Sequence, residues 1–395
     1  MEYLMKYVLL TDTLGSGGIA TNVAAIARQL TSDGKLCEIW RLRPGDNRAA
    51  LMSETHDLIR SLTSIFFYLL NPAREEHVLM ATSLRTLTLA NFANLLRFDR
   101  HSAWKIEFCA YHPKEFIGRS DLLNLAYRQM VTLLGPKNIF FCNSTTFQRH
   151  AATVGVGRLA SNILPLVCAL PAVSCPKARR QSSCLRLLFV GRIVDFKFPA
   201  ILALVDLAAR NDWVDVVIVG DGPLAPRLRE YIAVHRVTRV TLVGAIPYSE
   251  LRQMYIKSDL YFGMGTTLIE SSVCGTPALV AIEGIGEDKT YGYFCTQEGY
   301  DVGEWCEGKP VFSLQQTIEL VRSMSAEEYC SLSLQHMQFA NHFSPKLVAS
   351  VFLQLSDQAA YSRSLSKSLI FAAATIALVP FFWVAKVLSL WRRRY

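Results

Sequence analysis

The sequence has no cysteine pair in a CxxC arrangement, although it contains ten cysteines in 395 residues. Scattered thiols in a long chain with 51% hydrophobic residues are typical of reduced, buried side chains rather than of a disulfide framework. There is also no DxD motif, and no cluster of histidines and cysteines has metal-ligand spacing. We therefore expect a protein that needs neither a metal ion nor another cofactor.

Signals of several other protein classes are absent as well. The first residues, MEYLMKYVLLTD, lack the cleavage site of a signal peptide, so we expect the body of the protein to face the cytoplasm. The net charge is +8, but zinc-finger spacing, aromatic-basic RNA motifs and long basic runs are missing, which argues against nucleic acid as a partner. A Rossmann dehydrogenase is disfavoured because no GxGxxG follows the first strand with a well-spaced acidic residue.

What the sequence does contain is an alternation of apolar strands and helices. KYVLLT (6–11) leads through a glycine-rich turn into the helical segment IATNVAAIARQL and then the strand LCEIWRL. The same rhythm restarts at LRLLFVG (185–191), after a stretch rich in proline and basic residues. This pattern predicts an α/β fold with two doubly wound parallel sheets.

The length suits two such domains and leaves a tail of different composition. The predicted segments are an N-terminal Rossmann-like domain (1–165), an interdomain linker (166–184), a second Rossmann-like domain (185–345), a closing helix (346–362) and a hydrophobic anchor with basic flanks (363–395).

The tail contains a run from Ser368 to Ala385 without a charged residue. The run is close to the lower limit for a spanning helix, and Pro380 would kink it. Basic residues flank it on both sides, so a re-entrant or interfacial segment fits as well as a full span. We predict that this tail binds a membrane. A buried helix of the soluble body is the alternative.

Two cations follow a strand in the second half. Arg192 stands directly after the strand that ends at Gly191, and Lys197 comes five residues later. Ligands of doubly wound sheets bind at the carboxyl ends of strands, where a guanidinium and an ammonium group can meet one diphosphate. A solvated basic loop is the alternative interpretation.

An anion site is predicted a little further along the chain. Gly265, Thr266 and Thr267 precede the predicted helix LIESSVCG (268–275), whose N-terminal N–H groups can bind an anion. In the first turn of that helix, Glu270 can accept hydrogen bonds from a ribose diol. Its alternative role is that of a simple partner of the helix dipole.

The ordered set FVGRIVDFK, VIVGDGP, VTLVGAIPYSELRQMYIKSDLYF and LIESSVCGTPALVA resembles the donor half of family 4 retaining glycosyltransferases, of the group 1 type. The resemblance covers residues 186–285, and it continues more weakly in GSGGIATNVAAIARQL of the first half. It implies the GT-B fold, in which two Rossmann-like domains face a cleft. It also implies metal-independent transfer of a sugar from a UDP- or GDP-sugar with retained configuration.

The resemblance gives the candidate residues of the second half particular roles. Arg192 and Lys197 would bind the donor diphosphate and stabilise it as it leaves. Glu270 would hold the ribose hydroxyls. The segment from Gly244 to Pro247 would pack on the base.

In the first half, the resemblance points to a histidine and two glycines. His112, at the end of a strand, would contact and position the donor sugar, although a histidine after an apolar strand is often only hydrogen-bonded in a core. Gly17 and Gly18 would let the backbone approach the phosphate and the acceptor, because a Cβ would not fit there.

One position departs from the family pattern. The family has an E-x₇-E signature whose first glutamate touches the donor sugar, and Phe262 stands at that position here, ahead of Glu270. The sugar contact must then come from elsewhere, for example from the backbone amides of residues 264–266.

Together these observations predict a glycosyltransferase on the cytoplasmic face of the inner membrane, with a membrane lipid or lipid-linked saccharide as its acceptor. A bacterial cell-surface polysaccharide or glycolipid pathway is the simplest setting. Two alternatives remain. One is a nucleotide-sugar epimerase on the same fold, and the other is a membrane-tethered subunit that binds a nucleotide sugar but has lost catalysis.

Overall fold

The structure, a computed structural model, falls into two compact units that are described separately. The first comprises residues 1–164 and 349–395, and the second comprises residues 165–348. The described residues are 5–13, 18–43, 57–59, 77–96, 104–113, 128, 131, 134–155, 157–180 and 182–360.

The first unit is built on a six-stranded parallel sheet. Its strands are β1 (Lys6–Thr13), β2 (Leu36–Arg43), β3 (Asp57–Ile59), β4 (His77–Ala81), β5 (Trp104–Ala110) and β6 (Ile139–Phe141). They lie in the order β3-β2-β1-β4-β5-β6. The helices described here are α1 (Gly18–Ser32), α2 (Leu84–Leu96) and, after the last strand, α3 (Ser144–Val154). Fully buried Val8, Leu79 and Phe108 belong to the core on the sheet, as expected for strands covered on both faces.

The second unit repeats this plan with five parallel strands. They are β7 (Leu185–Val190), β8 (Val214–Val219), β9 (Val240–Gly244), β10 (Leu260–Gly263) and β11 (Ala278–Val280). Their order is β11-β10-β7-β8-β9, so it reverses between β7 and β10. The helices are α4 (Phe198–Arg210), α5 (Ala225–Val234), α6 (Tyr248–Lys257), α7 (Thr266–Val273), α8 (Leu314–Ser323) and α9 (Ala326–Ala340). The prediction of an α/β fold with two Rossmann-like parallel sheets is confirmed.

The segment predicted as the linker, 166–184, lies within the second unit. The Nε of Arg180 donates to Asp259 at 2.6 Å, and the Lys177 ammonium donates to the carbonyl of Ser258. Both partners lie directly before β10. The basic residues of the predicted linker therefore attach this stretch to the second unit.

Helix α10 (Pro345–Gln358) carries the chain back into the first unit, to which residues from 349 onward belong. Its buried Phe352 contacts Tyr7 edge-on, with 5.9 Å between the ring centroids. The Ser356 hydroxyl donates to Glu107 of β5 at 3.0 Å, and Lys105 donates to the Ser356 carbonyl at 3.0 Å. Burial raises the pKa of Glu107 to about 8, so this carboxyl is protonated at neutral pH.

Among residues 5–360, in so far as they are described, no helix is long and apolar enough to cross a membrane. The predicted anchor, 363–395, lies outside the described residues.

Candidate functional site

The candidate site of the second unit lies at the carboxyl ends of the strands, at the point where the strand order reverses. Strands β7 and β10 are hydrogen-bonded neighbours there, and the loops that follow them contain Gly191 and Gly265. In doubly wound sheets the loops diverge at such a reversal and leave a crevice beyond the carboxyl ends of the strands. The sequence places Arg192 and Lys197 after β7, and Gly265 to Thr267 after β10.

Two glycines let the strand-end loops approach one another closely. The Gly191 amide donates to the Val219 carbonyl at 2.9 Å, and the Gly220 amide donates to the Gly244 carbonyl at 2.8 Å. Gly220 has a φ of +137°, and a Cβ added there would lie 2.9 Å from the carbonyl carbon of Gly191 and closer still to its oxygen. Only glycine can occupy this position without displacing backbone.

Lys197 places its ammonium against the first of these loops. A Cβ on Gly191 would lie 3.0 Å from the Lys197 Nζ, which shows how close the cation comes to the backbone. Within the described part of the chain this ammonium has no hydrogen-bond partner, and it lies 5.9 Å from the centroid of the Phe196 ring. Burial and neighbouring Arg192 lower the pKa of Lys197 to about 8, and Glu270 opposes that shift.

Arg192 is exposed at the same loop. Together with burial, Arg192 lowers the pKa of Lys197, so the two predicted cations lie within electrostatic reach of one another. Glu270 raises the pKa of the same ammonium. Burial and a second cation both disfavour the charged form of this ammonium, and Glu270 opposes them. Two neighbouring cations at a strand-end loop can attract an anion.

The predicted anion site at α7 differs in one detail from the expectation. The helix begins at Thr266, two residues earlier than predicted, and Gly265 is its N-cap with a φ of +81°. Thr266 and Thr267 are thus the first two helical residues, and their N–H groups belong to the helix N-terminus. The Thr267 hydroxyl donates to the Met264 carbonyl at 3.1 Å and accepts from Tyr261 at 2.5 Å.

The earlier start also moves Glu270 out of the first turn, in which no acidic residue lies. The prediction of a first-turn glutamate was wrong, and the interpretation as a simple helix-dipole partner loses its basis, because the dipole acts within that turn. Glu270 is buried, and its two oxygens accept from Tyr248 at 3.1 Å and from Tyr255 at 2.8 Å. Burial raises the pKa of Glu270 to about 7, although both tyrosines and Lys197 lower it.

The two remaining positions of this half have contrasting surroundings. Phe262 is 1% exposed in the core of the second unit, so its side chain faces the packed interior rather than a ligand. Gly244 ends β9 with a φ of +81°, and a Cβ there would meet nothing within 4 Å. The segment from Gly244 to Pro247 alternates between partly buried and exposed residues and leads directly into α6.

The predicted residues of the first half lie in the other unit. His112 is exposed after β5, and its carbonyl lies 3.2 Å from the Nε2 of buried His150. Desolvation lowers the pKa of His150 to about 4, so its ring is neutral and can act as the donor in this contact. Gly18 is the exposed first residue of α1, and Gly17 lies outside the described residues.

No group of three or more potential metal ligands occurs among the side chains that the structure describes. Sequence reasoning missed the three tyrosines around Glu270 and Thr267. Tyr248 and Tyr255 are seven residues apart, which is two helical turns and one face of α6. That spacing was the available signal, but nothing local to it indicates a carboxylate partner on α7.

Comparison with known proteins agrees with this description of the second unit. Residues 178–288 match the family model of glycosyl transferases group 1. The resemblance found in the sequence of this half is thereby confirmed. A curated relative is the phosphatidylinositol N-acetylglucosaminyltransferase GPI3 subunit of Saccharomyces cerevisiae, 24% identical over 107 residues. That alignment covers 25% of this chain and 24% of the relative, so the chain spans about a quarter of the relative's length.

Solved structures of low sequence identity share the fold of both units. Anabaena Alr3699/HepE in complex with UDP and glucose has a TM-score of 0.64 at 13% identity, covering 88% of this chain and 98% of that one. The lipopolysaccharide outer core galactosyltransferase WaaB has a TM-score of 0.58 at 14% identity, covering 89% and 99%. A glycosyltransferase from Rickettsia africae also has a TM-score of 0.58, at 13% identity, covering 90% and 98%. These likenesses show a GT-B fold.

Proposed function

We propose that this chain, whose second unit contains a group 1 glycosyl transferase domain, is a glycosyltransferase that takes its sugar from a nucleotide-sugar donor. The observation that carries the proposal is the Lys197 ammonium, which lies against Gly191 at the reversal of the sheet with no hydrogen-bond partner in the described residues. Arg192 beside it and the N-terminus of α7 supply further positive potential for a diphosphate.

The donor is a UDP- or GDP-sugar, and UDP is the first candidate because the similar Anabaena protein was solved with UDP and with UDP-glucose. Arg192, Lys197 and the amides of Thr266 and Thr267 stabilise the diphosphate as it leaves, without a metal ion. His112 contacts and positions the donor sugar. Gly17 and Gly18 let the backbone approach the phosphate and the acceptor. Transfer proceeds with retention of configuration.

The acceptor is a membrane lipid or a lipid-linked saccharide, and the reaction takes place on the cytoplasmic face of a bacterial inner membrane as part of cell-surface polysaccharide or glycolipid synthesis. The named acceptor of the yeast relative, phosphatidylinositol, is a lipid, which supports a lipid-borne acceptor here. The apolar tail would hold the enzyme at the surface where such acceptors lie.

A transfer assay tests the proposal directly. The full chain is incubated with a lipid extract and a panel of radiolabelled UDP- and GDP-sugars. We expect labelled lipid and an equal amount of released nucleoside diphosphate from one donor. Release of a 2-epimeric sugar without any acceptor would indicate the epimerase instead, and it would contradict the proposed transfer.

A second candidate function is supported by Phe262. Phenylalanine stands where the family pattern has a glutamate at the donor sugar, and its side chain is buried in the core. The site therefore lacks that carboxylate, which fits a membrane-tethered subunit that binds a nucleotide sugar without transferring it. This candidate predicts that the donor raises the melting temperature of the protein, whereas the transfer assay yields neither labelled lipid nor released diphosphate.

Removal of residues 363–395 tests the role of the tail. A chain ending at Ser362 is expected to move from the membrane pellet to the supernatant after cell lysis, because the apolar run is lost. A second variant, Ile376→Asp, keeps the tail at full length but places a charge within the apolar run. It should also weaken pelleting, which separates the loss of apolar character from the loss of length. A truncated chain that still pellets, while folded by circular dichroism, would contradict membrane binding by the tail.

A further inference from the structure

The two tyrosines that contact Glu270 are not equivalent. Tyr255 is fully buried and donates to Glu270 Oε2 at 2.8 Å. Tyr248 is partly exposed at the start of α6 and donates to Oε1 at 3.1 Å. One oxygen of the carboxylate is therefore held by a fully buried tyrosine, and the other is held by a partly exposed one.

Tyr255 is itself fixed by its surroundings. Its ring meets the Tyr261 ring edge-on at 5.7 Å between centroids, and its backbone carbonyl accepts from the Thr276 hydroxyl at 2.7 Å. Tyr261 in turn donates to Thr267 at the N-terminus of α7. Glu270, Tyr255, Tyr261 and Thr267 thus form one continuous chain of contacts beneath the strand-end loops.

Glu270 is buried, and the partly exposed Tyr248 is the neighbour whose displacement would let a ligand reach the carboxylate. A carboxylate has about four acceptor positions on its two oxygens, and the tyrosines occupy one on each. Tyr248 follows directly after the segment from Gly244 to Pro247, which forms an accessible strand-end turn. Tyr248 is the one of the two tyrosines that adjoins this turn and is partly exposed, so a hydroxyl-bearing ligand at the turn can compete with it for Oε1.

We propose that Tyr255 is a positioning residue that holds Glu270 ready for the ribose diol of the donor, and that Tyr248 is a stand-in donor that the ribose displaces. This inference rests on the proposed function, since the diol belongs to the nucleotide. Tyr255 does not touch the ligand. It keeps the carboxylate in one rotamer, so that the hydrogen bonds to the diol form without reorganisation.

The two tyrosines then differ in what their loss does. Without the Tyr255 hydroxyl, Oε2 is left without its buried donor, and Glu270 loses both its orientation and part of its tendency to ionise. Without the Tyr248 hydroxyl, the ribose has no competing hydrogen bond to break. A general loss of packing would affect both variants, and every ligand, alike.

Calorimetric affinities for three probes test this distinction: UDP, its 2′,3′-dideoxy analogue and inorganic pyrophosphate, with GDP and its analogue run in parallel. We expect the wild-type protein to prefer the diol-bearing nucleotide by about tenfold or more. Tyr255→Phe should reduce that preference to about twofold and leave pyrophosphate affinity unchanged, whereas Tyr248→Phe should keep it and bind the nucleotide at least as tightly.

Tyr329→Phe is the matched control. Tyr329 is equally buried in the second unit and donates to the Asp259 carbonyl at 2.6 Å, so it loses a comparable hydroxyl and should keep the full diol preference. An unchanged preference in Tyr255→Phe, or equal loss in both α6 variants, overturns the inference while the proposed function stands. Failure of the wild-type protein to bind UDP, GDP or pyrophosphate overturns both.

Discussion

Methionine in place of Lys197 is expected to weaken UDP binding by about tenfold to a hundredfold, which corresponds to the loss of one hydrogen bond to a charged group. The ammonium lies against Gly191 with no hydrogen-bond partner in the described residues, so a bound diphosphate is its natural counter-charge. Methionine keeps most of the length of the side chain and its packing, and it removes only the charge and its donors. Calorimetric titration with UDP measures the change.

The same residue predicts a pH dependence. Because burial and Arg192 lower the pKa of Lys197 to about 8, the ammonium loses its proton as the pH rises past that value, earlier than an ordinary lysine would. The affinity of the wild-type protein for UDP should therefore fall between about pH 8 and pH 9.5, where Glu270, with a pKa of about 7, is already mostly ionised, and Lys197→Met should not show this fall.

Exposed Lys257 at the end of α6 provides the control. Lys257→Met removes the same charge from the same unit, and UDP affinity should change by less than twofold, because exposed charges at a distance are screened by salt. Equal affinities of wild type and Lys197→Met at pH 7 would contradict the assignment of Lys197 to the diphosphate.

Alanine at Gly220 is expected to destabilise the second unit by about 3 kcal/mol or to prevent its folding. Its Cβ would overlap the backbone carbonyl of Gly191, and the residue would have to hold a φ of +137°. The atoms that the Cβ would meet are backbone atoms of Gly191, which cannot move aside as a flexible side chain can. The loops after β7 and β8 would therefore have to separate. Chemical denaturation followed by circular dichroism measures the loss.

Gly308→Ala separates steric overlap from backbone strain. Gly308 is exposed, has a φ of +76° and would place a Cβ in open space. The change should cost only about 1 kcal/mol, the penalty of the left-handed conformation alone. If both variants lost the same stability, the close approach of Gly220 to Gly191 would not be what fixes these loops.

Much of this architecture could be predicted because its signals are local. An apolar strand that ends in glycine identifies β7, β8 and β9, and alternation with helices indicates that the sheets are parallel. Arg192 and Lys197 follow one of these strand ends, so their position at the edge of the sheet follows from the topology rule alone.

The parts that were missed depend on partners distant in sequence. Arg180 belongs to the second unit because Asp259 holds it, seventy-nine positions away. Glu270 is held by two tyrosines of another helix, and no pattern around Glu270 indicates them. The start of α7 was misplaced because two threonines read as turn residues, whereas Gly265 with its positive φ already caps the helix ahead of them.

The return of the chain into the first unit through α10 has a consequence for synthesis on the ribosome. The second unit is continuous from residue 165 to residue 348, whereas the first unit needs residues from 349 onward to cover Glu107 and Lys105. After residue 164 emerges, close to two hundred more residues must be made, which takes roughly 10–40 s at about 5–20 residues per second. During that interval the second unit can fold to completion while the older part of the chain waits, so the unit whose synthesis begins second is the unit that can fold first.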